Sequence, residues 1–276
     1  MHTKRLFSRI ALASVAAIIL AGCSSSSDSA SDSGVPTIDM MSELGAGEGQ
    51  VNVVAWAGYV ENGSTDPAVD WVTGFETETG CKVNVKNGAT SDEMVALMKT
   101  GEYDVVSASG DASLRLIYGG DVAPVNTDLL PNYADIFENL KMQQWNSVDG
   151  VAYGIPHGRG ANLLAYRTDI VKPAPTSWGS VFDANSPYKG KITGYDSPIY
   201  IADAALYLMA TQPDLGIEYP YALDQAQFDA AVALLEVQKP LIGEYWGDYL
   251  KHVASIKSGG TVLGTTWQVN INLAKG

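Results

Sequence analysis

Cysteine and histidine are nearly missing from this chain: two Cys and three His in 276 residues. A structural or catalytic zinc site draws on just those side chains, so no metal site can be assembled from His2, His157, His252, Cys23 and Cys81. A disulfide framework is equally excluded, because Cys23 lies in an export signal and Cys81 is left without a mate. Gly-x-Ser-x-Gly, P-loop and His-Glu-x-x-His patterns are absent too, which removes the common hydrolase and nucleotide-binding signatures. The pair Gly45/Gly47 stands ahead of a strand instead of behind one, so it is no dinucleotide fingerprint. No cofactor is called for, and the residues suggest no enzyme. Basic residues are scarce: 17 Lys and Arg face 31 Asp and Glu, a net charge of −14. Phosphate backbones would repel such a surface, so nucleic acid is not a partner.

No apolar run is long enough to span a bilayer. The longest, Ile10–Leu20, follows Lys4, Arg5 and Arg9 and precedes Leu20-Ala21-Gly22-Cys23. This is the pattern of a lipoprotein export signal over residues 1–23, with Cys23 as the lipidated residue; a plain secretory signal cut nearby is the alternative. Cleavage before Cys23 leaves a net charge of −17. Residues 24–49 are rich in Ser, Asp and Gly and poor in large apolar groups, so a flexible tether is expected there. The protein is then extracytoplasmic and lipid-anchored to the cell membrane.

Beyond the tether, strands and helices alternate. Val51–Val54 reads as a buried strand that ends in Trp56 and Tyr59. Asp66 and Pro67 open a helix that runs to Thr79, with Val69, Val72 and Phe75 on its apolar face and Gly80 as its stop. A strand over 81–85, a helix from Ser91, a strand over 103–109 and a short helix near 112–118 follow. The Pro- and Gly-rich stretch Gly150–Gly160 suits a crossover, after which the alternation restarts. Helices are expected at 200–210, 225–235 and 248–257, and strands at 189–196, 241–245 and 261–267. The fold class is therefore α/β with two lobes, over 50–155 and 156–276.

Several pieces in this order are similar to the polyamine-binding (spermidine/putrescine) proteins of ABC importers, within the type II periplasmic-binding fold. They are the strand with Trp56 and Tyr59, Phe75-Glu-Thr-Glu-Thr-Gly-Cys-Lys-Val83, Tyr103-Asp-Val-Val-Ser-Ala-Ser109, Tyr153-Gly-Ile-Pro156, Thr176-Ser-Trp178, Tyr188-Lys-Gly190 and Thr266-Trp267. The resemblance covers roughly residues 50–276. It implies a sheet flanked by helices in each lobe and a ligand clamped between lobes. It also implies hand-over to a membrane permease with its own ATPase, and a monomer. By position, Trp56, Tyr59 and Trp267 would supply rings, Ser109 a hydroxyl and Asp196 a carboxylate. The chain departs from the family at Ala57-Gly58, at Asp111 and Arg159 where aromatics are expected, and at Ser197-Pro198-Ile199, where a second acid is lost. Asp111 can restore a carboxylate. Arg159 suits a zwitterionic or carboxylate-bearing solute, unless it pairs with Asp111 or faces solvent. His157 reads as a hinge residue bonded to backbone. Compared with the family, the chain also lacks the return to lobe one after Trp267, so a truncated sequence is the expectation.

Overall fold

The first sheet grows around β1 (Gln50–Ala55), whose apolar residues run Val51, Val53, Val54. The computed structural model describes residues 34–64 and 66–275. Behind β1 come α1 (Val72–Thr79), β2 (Lys82–Asn87), α2 (Ser91–Met98), β3 (Val105–Val106) and α3 (Gly110–Gly119). The sheet order is β2-β1-β3, all parallel, as βα alternation requires. Val95, Met98, Ala112 and Leu116 form the core beneath α2 and α3. Val85 and Val105 stay 42% and 49% exposed, so one face of this sheet is thinly covered among the described residues.

A short antiparallel ribbon, β4 (Ser147–Val148) with β5 (Val151–Ala152), precedes the second sheet. That sheet uses β6 (Leu163–Tyr166), then α4 (Gly179–Phe182), β7 (Ile192–Tyr195), α5 (Ile199–Thr211) and α6 (Gln225–Gln238). It is completed by β8 (Ile242–Trp246), α7 (Tyr249–Ser258), β9 (Leu263–Thr266) and α8 (Gln268–Lys275). Its order is β6-β9-β7-β8, with β6 antiparallel to β9 and the others parallel. Val181, Ile192, Leu241, Val262 and Leu263 fill one side, and Phe182, Ala204, Ala205, Leu208 and Ala231 join α5 to α6. Helix starts follow from local chemistry. Asp224 and Gln227 form a reciprocal capping box on α6, and Thr90 caps α2 through Glu93 N.

Three expectations need correction. The helix drawn over 66–79 is two pieces, a 3-10 turn Pro67–Val69 and α1. Asp70 adopts extended backbone between them, accepts from Thr73 N at 3.0 Å, and so starts α1 afresh. The Glu61 carbonyl takes the amides of Trp71 and Val72, both at 3.2 Å. Of the proposed apolar face only Val72 is buried, while Val69 and Phe75 are exposed. The strand over 103–109 shrinks to Val105–Val106, flanked by bonds from Asp104 N to the Asn52 carbonyl at 2.9 Å and from Ser107 N to the Val54 carbonyl at 2.8 Å, after which the chain turns to start α3.

Only part of the expected tether falls within the described residues. Residues 24–33 and the lipidation site Cys23 lie outside the described residues. Residues 34–49 contain no helix and no strand before Gln50, and 36–41 touch the body. Asn126 donates to the Met41 carbonyl at 3.1 Å. Pro36 sits against Gly120, where an added Cβ would lie 3.2 Å from it. Pro36, Ile38 and Met40 share the wall of a hollow of about 320 Å³ with Pro124, Val151 and Tyr153. Among the described residues no helix is long and apolar enough to cross a membrane. Cys81 is a free, partly buried thiol just ahead of β2.

Candidate solute site

Strand direction decides which side chains can meet. In parallel α/β sheets the loops at the carboxyl ends of strands form the ligand crevice. Here β1 is followed by Trp56, and the chain leaving β3 reaches Ser109 and Asp111. β7 is followed by Asp196, β8 by Gly247 and β9 by Trp267. Because β6 is antiparallel, its beginning lies at the same edge, and the register Leu163↔Thr266 sets Asn162 opposite Trp267. The two carboxyl edges face each other. A Cβ on Gly247 would lie 3.8 Å from Thr90 Cγ2, and one on Gly110 would lie 3.3 Å from Tyr221 Cε2.

Aromatic rings line this meeting of edges. Trp56 and Trp267 approach edge to face with centroids 6.1 Å apart. Trp267 also meets Tyr195 at 5.2 Å and Trp246 at 4.8 Å, both nearly perpendicular. Tyr59 stacks on His157 at 4.8 Å, so the crossover residue read as a hinge is held by ring contact. Trp145 and Tyr221 add a second edge-to-face pair at 6.4 Å.

The polar groups are few and distinct. Ser91 and Ser109 hydroxyls lie 2.6 Å apart, and Ser109 donates to Asp111 Oδ1 at 2.7 Å. Oδ2 of Asp111 is buried and has no partner among the described residues. Asp196 is exposed at the rim, its amide bonded to the Trp246 carbonyl at 2.9 Å. Burial pushes the Tyr195 hydroxyl up to about 12, and the charges of Asp111, Asp196 and Asp92 add to the shift. Tyr221 is raised by burial first, then by Asp203 and Asp111. The carboxylates of the two sheets thus act on shared phenols.

Of the residues singled out from sequence, Trp56 and Trp267 are in contact, and the charges of Asp111 and Asp196 both bear on Tyr195. Ser109 serves Asp111. Tyr59 lies against the crossover. Arg159 is exposed and forms no ion pair among the described residues, so the pairing with Asp111 that the sequence left open is not made. Missed altogether were Tyr195, Tyr221, Asn162 and Asp203. Asp203 did leave a signal, being the one charge in the apolar helix Ile199–Thr211. Both its carboxylate oxygens accept from Asn162, and burial raises its carboxyl to about 6. His252 is buried below Trp246, stacked at 4.4 Å, and bonds Thr266 Oγ1 at 2.9 Å. It is no general base in the crevice. Among the described residues no group of three or more His, Cys, Asp or Glu is placed to hold a metal.

Known proteins share this fold. The TpPotD lipoprotein of Treponema pallidum superposes with a TM-score of 0.63 at 18% identity, over 82% of this chain and 66% of that one. The spermidine/putrescine ABC transporter substrate-binding protein PotD of Streptococcus pneumoniae gives 0.56 at 19%, over 82% and 65%. A protein described as a GABA receptor gives 0.58 at 21%, again over 82% and 65%. The chain therefore spans just under two thirds of the length of these structures, and it has their type II periplasmic-binding fold. Residues 70–276 match the family model of bacterial extracellular solute-binding proteins, and with three quarters of its length so matched the chain belongs to that family.

Proposed function

We propose that the protein captures a small amine-bearing solute, a polyamine or a close relative, between the facing edges of its two sheets. In this reading the residues from β1 to β5 and those from β6 onward form lobes that close on the solute. The loaded protein then delivers it to an ABC permease powered by its own ATPase. Lipidation at Cys23 would keep it on the outer face of the membrane. The observation that carries the amine is Oδ2 of Asp111, a buried carboxylate oxygen without a donor. Such an atom costs free energy unless a donor reaches it, and an ammonium group supplies charge and proton together. Trp56 and Trp267 offer faces to methylenes and to cationic nitrogen, with the buried Tyr195 ring packed behind Trp267. Asp196 at the rim would meet a second positive group. The polyamine protein from Streptococcus pneumoniae, which shares the fold, supports this choice.

Titration calorimetry with spermidine, putrescine and an amino-acid panel that includes GABA tests the assignment. Saturable heat with an amine and none with amino acids is the expected result. Silence with every amine sinks the polyamine reading.

A second reading rests on Arg159. Its guanidinium is exposed and unpaired among the described residues, two positions from His157, which stacks on Tyr59. A zwitterion could place its ammonium on Asp111 and its carboxylate on Arg159. The fold shared with the GABA receptor supports this alternative. Binding of GABA that Arg159→Ala abolishes would select it.

A further inference from the structure

We infer that Asn162 and Asp203 are positioning residues for the solute: Asp203 orients the Asn162 amide, and Asn162 fixes the Trp267 indole as a wall of the crevice. This rests on reading the crevice as the solute site.

The geometry is a chain of three side chains. Trp267 Nε1 donates to Asn162 Oδ1 at 3.0 Å. Asn162 Nδ2 donates to the two oxygens of Asp203 at 3.1 and 2.9 Å. An indole N–H can only donate, and an ionised carboxylate can only accept. The amide between them has one end of each kind, so a single orientation satisfies both neighbours. Turning it over would set NH₂ against N–H and C=O against carboxylate. An uncharged hydrogen-bonding residue at 203 would not impose that choice, because an amide or hydroxyl can both give and accept. The other sides of the indole are held by Trp56, Tyr195 and Trp246. A ring that serves as a binding wall gains from being fixed before the ligand arrives.

Packing alone does not ask for an acid here. Ala202, Ala204 and Ala205 beside it are buried, and α5 carries no other charge. No cation pairs with Asp203 among the described residues. The titratable groups within its reach are Tyr200 on its own helix and Tyr221 ahead of α6, and Asp111 faces Tyr221 from α3. Protonating Asp203 turns one of its two acceptors into a donor and removes the charge, so the Asn162 NH₂ is held by one weaker bond and the amide's orientation rests mainly on the indole N–H. With the carboxyl raised to about 6, the grip is complete at pH 7.5 and fades as pH falls through that value. An aliphatic ammonium stays charged across the same range, so the ligand does not titrate with it.

The test reads the Trp267 indole Nε1–H resonance by ¹H–¹⁵N NMR, assigned with Trp267→Phe, together with spermidine affinity at pH 7.5 and 5. In the wild type the resonance should titrate with a midpoint near 6. Affinity should fall about five- to tenfold at the lower pH, the loss of roughly one hydrogen bond. Asp203→Asn should abolish both pH responses while circular dichroism reports an intact fold. Asn162→Leu should shift the resonance toward an unbonded indole at every pH. A Trp267 resonance indifferent to pH in the wild type overturns the inference, whatever the variants do. If no amine binds at all, the reading of the crevice falls. The positioning claim is then judged on the indole resonance alone: coupled to Asp203 it stands, uncoupled it fails.

Discussion

Ser109 donates its hydroxyl proton to Asp111 Oδ1 at 2.7 Å, so the 2.6 Å contact between Ser91 and Ser109 must run from Ser91 to Ser109. A serine hydroxyl has one proton to give. This two-step relay anchors one carboxylate oxygen and leaves the other for a guest. Asp111→Asn should therefore weaken an amine ligand by about 1.5–3 kcal/mol, the range for a hydrogen bond to a charged group. Calorimetry checks it, and unchanged affinity would remove Asp111 from the site.

Asp196 should matter less. It is exposed at the rim, where water and salt screen its charge. Asp196→Asn should cost about 0.5–1 kcal/mol of binding, and the loss should shrink as salt is added. A loss larger than that of Asp111→Asn would reverse the ranking of the two acids.

Gly264 sits in β9 with φ at +144°, in a region that side chains rarely enter. A Cβ there would run into the carbonyl oxygen of Thr193 on the neighbouring β7. Gly264→Ala should destabilise the fold by at least about 2 kcal/mol, since backbone on both sides must move. Urea melts measure it. Wild-type stability would mean that β7 and β9 are less closely apposed than the structure has them.

Two groups give stability opposite pH slopes. His252 is buried and neutral, and burial lowers its pKa to about 4. The unfolded chain takes up that proton first, so His252 supports the fold above about pH 6.5, the ordinary histidine value, and its support is lost as pH falls toward 4. Asp203 is raised to about 6 from 3.8, so its contribution is full below the lower value and is lost as pH rises through the upper one. His252→Gln should flatten the fall in Tm between pH 6.5 and 4. Asp203→Asn should raise Tm at pH 8, even while it weakens binding. A fall in Tm at pH 8 would show that the ionised acid stabilises the fold.

The strand ends were legible because apolar runs bounded by turn residues mark parallel strands, and their carboxyl ends are where ligands gather. Ser109, Asp196 and Trp267 came with the family resemblance; the strand-end logic by itself singled out Trp56 and Tyr59. It could not locate Asn162, whose place depends on β6 running antiparallel to β9 across a separation of about a hundred residues. Asp203 was passed over because a helix with one charge scores as apolar. Tyr195 and Trp246 read only as strand interior, and nothing local says that their rings back a crevice. The break at Asp70 was hidden for a related reason: the acceptor that competes for the Trp71 and Val72 amides is Glu61, outside the helical window.

The contact of residues 36–41 with the body has a practical side. A recombinant protein started at Gln50, the first strand, would strip Pro36, Ile38 and Met40 from Pro124, Val151 and Tyr153, and take the Met41 carbonyl from Asn126. Freshly bared apolar surface promotes self-association. Cloning boundaries placed ahead of Val35 should yield the better-behaved sample.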